Sequence, residues 1–455
     1  MEDLLSLFDR INASLVGALV PIALMLLGIY YIVYLRAFHL RHPIRLLRVM
    51  AGGGEKRSAD SVSPFRAVTL ALAGTLGVGN LVGVSGAIAL GGPGAIFWML
   101  LSAFLAMLLK YAETVLAMRH RTGTTEGRRS GGAMYYMRDF LMQRGKPRLA
   151  ALVAGLFAVL CIADSFTMGS IIQMNAAGSA LHGSFGWDRG WVGIFLALLT
   201  LLVTAGGAKR ISALTGRLVP LMTLVYIVLS VAVLILKRDA IPDAVASVFS
   251  DAFSAESAAG GALGFFFSRA VRFGTIRGLM SNEAGCGTAP IAHAEATETS
   301  PAEQGLWGLF EVFADTILLC TMTALVVLVS YDGAMAQGAD GMLMTLYAYS
   351  NVLGAWCEPL FAALVLFFAF ATVICRAHYG RVALSFFTDR KGMHRGYLIL
   401  FAAFVFVGTV ASSEFVWTLS DLSVGIMTLL NLCFLFAMRR EVKAETMLLS
   451  AALFR

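Results

Sequence analysis

Apolar positions along this chain come in long blocks. They show neither the alternation of a half-buried strand nor the narrow stripe of a surface helix. Eleven blocks stand out, at 15–35, 65–90, 94–118, 149–181, 190–208, 218–236, 260–288, 305–330, 358–381, 397–412 and 415–438. A helix of about 20 such residues crosses a hydrocarbon core of about 30 Å. The pattern predicts an all-α membrane protein with eleven transmembrane helices, the tenth of them short. Two polar stretches between blocks also read as helical. Residues 36–57 mix basic residues with Phe38, Leu40, Ile44 and Leu47 and suit an interfacial helix that stops at Gly52-Gly53-Gly54. Residues 131–145 read the same way.

Composition agrees. Of 455 residues, 58% are hydrophobic and 14% charged, against about 25% charged in a soluble protein. Disorder and a disulfide scaffold are both excluded, since the six cysteines are scattered and form no C-x-x-C pair. Glu2, Asp3 and Asp9 stand where a secretory signal would carry basic residues, so the first block is expected to stay as a span.

The net charge of +7 changes the picture only once it is sorted by position. With the N-terminus outside, the inner loops carry 26 Lys and Arg and the outer ones 4. By the positive-inside rule this sets the N-terminus outside and the C-terminus in the cytoplasm of a cell (inner or plasma) membrane. The basic excess is then a topological marker facing anionic lipid, and a nucleic-acid partner is not expected. The loop at 289–304 is the exception, acidic through Glu295, Glu298 and Glu303.

Glycine marks two of the blocks. One reads G-T-L-G-V-G-N-L-V-G-V-S-G from Gly74 to Gly86, and the other F-G-T-I-R-G-L-M-S-N-E-A-G-C-G from Phe273 to Gly287. Gly74 and Gly274 are 200 residues apart, and each opens a set of five spans. An odd number of spans per set inverts the second relative to the first. Interrupted spans at matching positions in inverted halves point to a secondary transporter. The physical reason is that broken helices free backbone groups at membrane depth, tolerable where they line a cavity or meet a ligand. Half-helix N-termini favour anions and free carbonyls hold hard cations. Close helix packing through small residues is the rival explanation. The expected division is an outer tail, first span and basic segment at 1–57, repeats at 58–238 and 239–438, and a cytoplasmic tail at 439–455.

Polar residues inside spans are functional candidates. Thr75 and Asn80 lie in the first interruption; Ser281, Asn282, Glu283 and Thr288 in the second; Asp164, Gln173 and Asn175 in the fourth span. Lys110 and Glu113, three apart, read as a salt bridge. Glu311 and Asp315 read as interhelical hydrogen-bond anchors.

These motifs, with K-Y-A-E from Lys110 and R-G-L-M-S-N-E-A-G-C-G-T-A-P from Arg277, resemble the alanine or glycine:cation symporter family (AGCS) of the amino acid-polyamine-organocation superfamily. The resemblance runs over about 15–440. It implies a LeuT-like 5+5 inverted repeat with one extra N-terminal helix, and inward movement of a small neutral amino acid (alanine- or glycine-like) driven by Na⁺ and sometimes H⁺. It implies no enzyme activity, no cofactor beyond the coupling ion, and a single chain as the functional unit. Thr75, Gly77, Gly79, Asn80 and Gln173 would cradle the substrate, with Ser281, Asn282 and Gly285 completing the pocket. Carbonyls near Gly74 and Gly77, with Thr372, would hold sodium.

The ninth span departs from the family pattern at F-A-T-V-I-C-R-A-H-Y-G-R, residues 370–381. Arg376 stands where the family carries Trp near the pocket. Three readings follow: snorkelling to the interface, replacement of a coupling cation, or pairing with the carboxylate of an acidic or larger substrate. The second and third would make the chain an H⁺-coupled or uncoupled transporter of a different amino acid. A channel would need a continuous polar or charged ring, and a membrane hydrolase built on His293 or Glu295 lacks an H-E-x-x-H or G-x-S-x-G motif.

Overall fold

The computed structural model describes residues 15–41, 43–52, 62–123, 129–253, 269–297, 299–330, 341–411 and 414–453. The expected outer tail before residue 15, the start of the seventh block, Glu298 and the glycines at 53–54 lie outside these.

Helices dominate, with one two-stranded pairing of β1 (Thr122–Gly123) on β2 (Arg129–Ser130). We number the principal helices α1 (Leu15–Tyr34), α2 (Pro43–Gly52), α3 (Pro64–Thr75), α4 (Val82–Gly91), α5 (Gly94–Arg119), α6 (Ala133–Gln143), α7 (Pro147–Phe185), α8 (Arg189–Thr204), α9 (Gly207–Leu236), α10 (Ile241–Ala252), α11 (Arg269–Asn282), α12 (Pro301–Val329), α13 (Gly341–Leu353), α14 (Cys357–Ser385), α15 (Lys391–Val410), α16 (Glu414–Ala437) and α17 (Arg439–Leu453). Among the described residues, eight helices are long and apolar enough to span a membrane, and α3 with the turn and helix at Val78–Gly91 makes a ninth, bent by 61°. The tenth block is longer than its apolar run, because α15 starts at Lys391 and carries His394 and Arg395 in its first turns.

Local chemistry sets the helix ends. Ser63 caps α3 through Arg66 N–H, with Pro64 at the first helical position. Ser300 and Glu303 form a reciprocal capping box on α12. Gly186, at φ +68°, closes α7. Both α7 and α12 contain a π-helical stretch, at Thr167–Ile172 and Phe313–Cys320. Such stretches cluster at functional sites.

Burial sorts the helices into layers. In α5 and α14, 78% of the apolar window is buried, against 33% in α9. Outward faces of α9 carry Leu221, Leu224 and Val228, apolar residues that suit lipid. Helix α11 packs along α5. There Gly274 and Gly278 are contact glycines: a Cβ on Gly274 would lie 2.2 Å from the Ala95 carbonyl oxygen. The second interruption therefore begins not at Gly274 but at Glu283, after α11 ends. Gly83 and Gly86 likewise lie within helix α4.

Lys110 and Glu113 do not pair with each other. Lys110 Nζ lies 3.4 Å from Glu311 Oε1 on α12, and Glu113 accepts from Asn431 Nδ2 on α16 at 2.5 Å. All four side chains are buried, so each charge is met across a helix interface, where the packed partner is nearer than the solvent.

Candidate functional site

The first break frees the backbone between α3 and α4. Val78 N–H finds no helical acceptor and donates to Gln173 Oε1 at 3.0 Å. Thr372 on α14 donates its hydroxyl to the Ala73 carbonyl at 2.9 Å. Gly77 sits between them, and a Cβ there would lie 2.7 Å from Gln173 Oε1 and 2.8 Å from Thr372 Oγ1. Glycine is required for this close approach. Gly74 packs against Cys375 and Tyr379 in the same way. The Thr372 hydroxyl and the Ala73 carbonyl thus meet near the end of α3, oxygen donors of the kind that suit an alkali cation such as Na⁺. Among the described residues no cluster of His, Cys, Asp or Glu could hold a metal ion.

The second break, between α11 and the turn at Pro290–His293, holds Glu283 at φ +52°, Gly285 at φ +92° and Gly287 at φ +85°. Left-handed backbone is natural for the glycines and strained for Glu283. Asn282 Oδ1 caps the turn by accepting from Ala284 N–H at 2.9 Å, and Asn431 Nδ2 donates to the Gly285 carbonyl at 2.9 Å. Thr288 donates to Glu283 Oε2 at 2.5 Å.

Asp315, on the π-helical stretch of α12, joins the two breaks. It accepts from Asn80 Nδ2 at 2.8 Å, from Ser281 Oγ at 2.7 Å and from Thr316 Oγ1 at 2.8 Å. Asn282 Nδ2 donates to Thr316 at 3.1 Å. The extra residue per turn aims Asp315 and Thr316 at the breaks together.

A cavity of about 10 Å³, roughly the room of one water, lies between the breaks. Gly74, Thr75, Gly79 and Gln173 line it, as do Glu283, Arg277 and Trp417. The Arg277 guanidinium stacks 4.7 Å from the Trp417 ring centre. Of the sequence-derived binding residues, Asn80, Ser281 and Asn282 stand behind the cavity in the Asp315 network, Gly77 in the Gln173–Thr372 contact, and Gly285 beside Asn431. None of these five is in its lining. Trp417 and Asp315 reach the breaks only through the fold, whereas Arg277 lies in the second glycine-marked block itself and was passed over beside its uncharged neighbours.

Arg376 is corrected on two counts. It does not snorkel, being 1% exposed. It does not line the cavity either. Its Nη1 lies 2.8 Å from Asp164 Oδ2, and its Nη2 pairs with Glu283 Oε1. Both terminal nitrogens of the guanidinium thus face protein carboxylates.

His293 is equally committed. Its Nε2 lies 2.9 Å from Glu311 Oε2 and its Nδ1 2.8 Å from Gln304 Nε2, all buried. Both ring nitrogens of His293 are thus taken by protein partners, a structural arrangement within the helix packing.

Two interrupted helices meeting around a small cavity define a multi-pass secondary transporter of the LeuT-like fold. The chain superposes with TM-score 0.58 on the crystal structure of MhsT in complex with L-phenylalanine, covering 86% of this chain and 93% of that one at 15% identity, a likeness of fold. Residues 1–450 match the sodium:alanine symporter family. The chain is 34% identical over 447 residues to the sodium/alanine symporter AgcS of Methanococcus maripaludis, covering 98% of this chain and 97% of AgcS. It is also 34% identical over 431 residues to the probable sodium/glutamine symporter GlnT of Bacillus subtilis, covering 95% and 87%. The chain belongs to the sodium:alanine symporter family, a family of sodium-coupled amino-acid transporters and not of enzymes.

Proposed function

We propose that this protein carries a small neutral amino acid, alanine- or glycine-like, into the cell together with Na⁺ by alternating access. The observation that carries this reading is the close approach of Gly77, Gln173 and Thr372 at the first break, with Gln173 also on the wall of the cavity between the two breaks. The freed N–H groups at the first break suit a carboxylate, with Thr75 and Gly79 at the wall and Gln173 yielding Val78 N–H to the ligand. Ser281, Asn282 and Gly285 act behind it, by fixing the second break. Sodium is held by carbonyls near Gly74 and Gly77 and by Thr372. Sodium and substrate each favour the closed arrangement of the breaks, and that shared preference is the coupling.

The chain threads eleven spans as repeats 58–238 and 239–438, with the N-terminus outside and the tail at 439–455 in the cytoplasm. The 26-to-4 bias in basic residues supports this orientation. The single chain is the functional unit.

Uptake into proteoliposomes, with all twenty amino acids as competitors and Na⁺ replaced by choline at fixed pH, tests the reading. Alanine or glycine should compete best, and uptake should vanish in choline. Uptake unchanged in choline would overturn sodium coupling.

A further inference from the structure

Arg376 poses an electrostatic problem for a sodium-coupled carrier. It stands one helical turn beyond Thr372 on α14, and residues four apart on a helix are about 6 Å apart at their Cβ atoms. A lone guanidinium there would repel Na⁺ from the hydroxyl proposed to hold it. The structure answers with two carboxylates. Asp164 comes from α7, just before its π-helical stretch, and Glu283 from the second break. Arg376 bonds both, and the side chains of all three are at most 2% exposed. With both carboxylates ionised, the cluster holds one positive and two negative charges.

Helices α7 and α14 cross closely at this point: a Cβ on Gly169 would lie 2.6 Å from Arg376 Cβ. Asp164 Oδ1 has no hydrogen-bond partner among the described residues and is buried. Two members of the cluster, Asp164 and Arg376, sit within continuous helices that pack on each other. The third, Glu283, sits in unwound, left-handed backbone and also lines the cavity. Glu283 is thus the member free to leave when the second break moves, and Asp164 retains Arg376 when it does.

We infer that the negative charge left over from the Asp164–Arg376–Glu283 cluster, at the cavity wall, makes a bound sodium ion a condition of the closed arrangement. A buried unbalanced charge is costly, and a monovalent cation nearby offsets it. Arg376 then does not replace the coupling ion. Together with its carboxylates it tightens the requirement for one. This inference rests on the sodium-coupled reading above and adds an electrostatic cause for it.

Charge arithmetic gives the test. Purified wild type and variants are reconstituted, and the half-saturating Na⁺ concentration is measured beside the amino-acid KM at saturating Na⁺. Asp164→Asn makes the cluster neutral and should raise the half-saturating Na⁺ at least tenfold, with KM changed less than threefold. Asp164→Asn with Arg376→Gln restores one net negative charge and should return it to within threefold of wild type. Arg376→Lys keeps the charge and should stay within threefold as well. Sodium-dependent thermal stabilisation of the purified variants gives the same ordering where transport is slow, and Asp164→Ser supplies the loss of charge should the asparagine not fold. An unchanged sodium requirement in the neutral variants, or a double variant no better than Asp164→Asn alone, would overturn the inference. Wild-type uptake that ignores sodium would instead overturn the coupling reading beneath it.

Discussion

Asn80 Nδ2 lies 2.8 Å from Asp315 Oδ1, so a side chain in the first broken helix is tied to the carboxylate that also holds Ser281 at the end of α11. The two breaks are thereby fixed to one another through a third helix. Asp315→Ala removes the carboxylate that Asn80, Ser281 and Thr316 share; Asn80 keeps Ser281 Oγ and the backbone carbonyl at 315 as acceptors, while the Thr316 hydroxyl loses its own. A buried donor left without a partner costs about 1–3 kcal/mol. Uptake should fall by more than tenfold and the melting temperature of the purified protein should drop. Asp315→Asn, which keeps one acceptor oxygen, should lose less of both.

Gly77 touches Gln173 and Thr372 at once. Gly77→Ala inserts a methyl 2.7 Å from one and 2.8 Å from the other. Gln173 has a flexible end and can yield, so the fold should survive. Transport should fall at least tenfold, mostly through a weaker apparent affinity for sodium. Uptake as a function of Na⁺ concentration, beside a thermal melt, reads both effects. A large loss of stability with an unchanged sodium curve would contradict the role given to this glycine.

The Lys110–Glu311–His293 set is a buried ionic cluster with its partners on different elements. Glu311→Gln leaves the Lys110 ammonium without its carboxylate. Breaking such a pair costs about 3–5 kcal/mol. The variant should give markedly less folded protein in the membrane. Lys110→Met with Glu311→Gln should recover much of it, which quantitative size-exclusion of solubilised protein would show.

His120, just past α5, lies 3.2 Å from Asp139 on α6 and 3.0 Å from Glu441 on α17. Arg119 reaches Glu441 and Glu445 from the same end. Burial disfavours the imidazolium, yet its bonds to the two carboxylates and their charges outweigh this and lift His120 to about 9. Asp139 and Glu441 are both held below their ordinary range, against burial, by hydrogen bonds from His120, with nearby arginines adding to the effect. A histidine raised above its unfolded value stabilises the fold fully below about pH 6.5 and loses that contribution as pH climbs through about 9. Thermal stability should therefore fall between about pH 7 and about pH 10. His120→Gln should flatten that slope. A slope unchanged in the variant would contradict this role for His120.

Much of this was legible in the sequence, and the division has a physical basis. Hydropathy locates spans because lipid demands unbroken apolar helices, and glycine flags the breaks because little else permits them. Thr75, Gly79 and Gln173 were found at the cavity because they sit on those local signals. Asp315 was readable as an anchor, but not as the link between the breaks, since that depends on a π-helical stretch and a third helix. Lys110 was misassigned to Glu113 because spacing along one helix says nothing of the partner packed beside it. Gly274 looked like a hinge and is a contact, since both uses call for the same missing side chain.

Gly169 and the Arg376 stem meet where α7 and α14 cross. The nearest clash is with the Cβ of residue 376, an atom that every side chain but glycine carries, so the demand for glycine at 169 comes from how closely α7 and α14 cross and not from the guanidinium. Exchanging Arg376 for another side chain leaves that demand in place, whereas any side chain at 169 pushes the two helices apart.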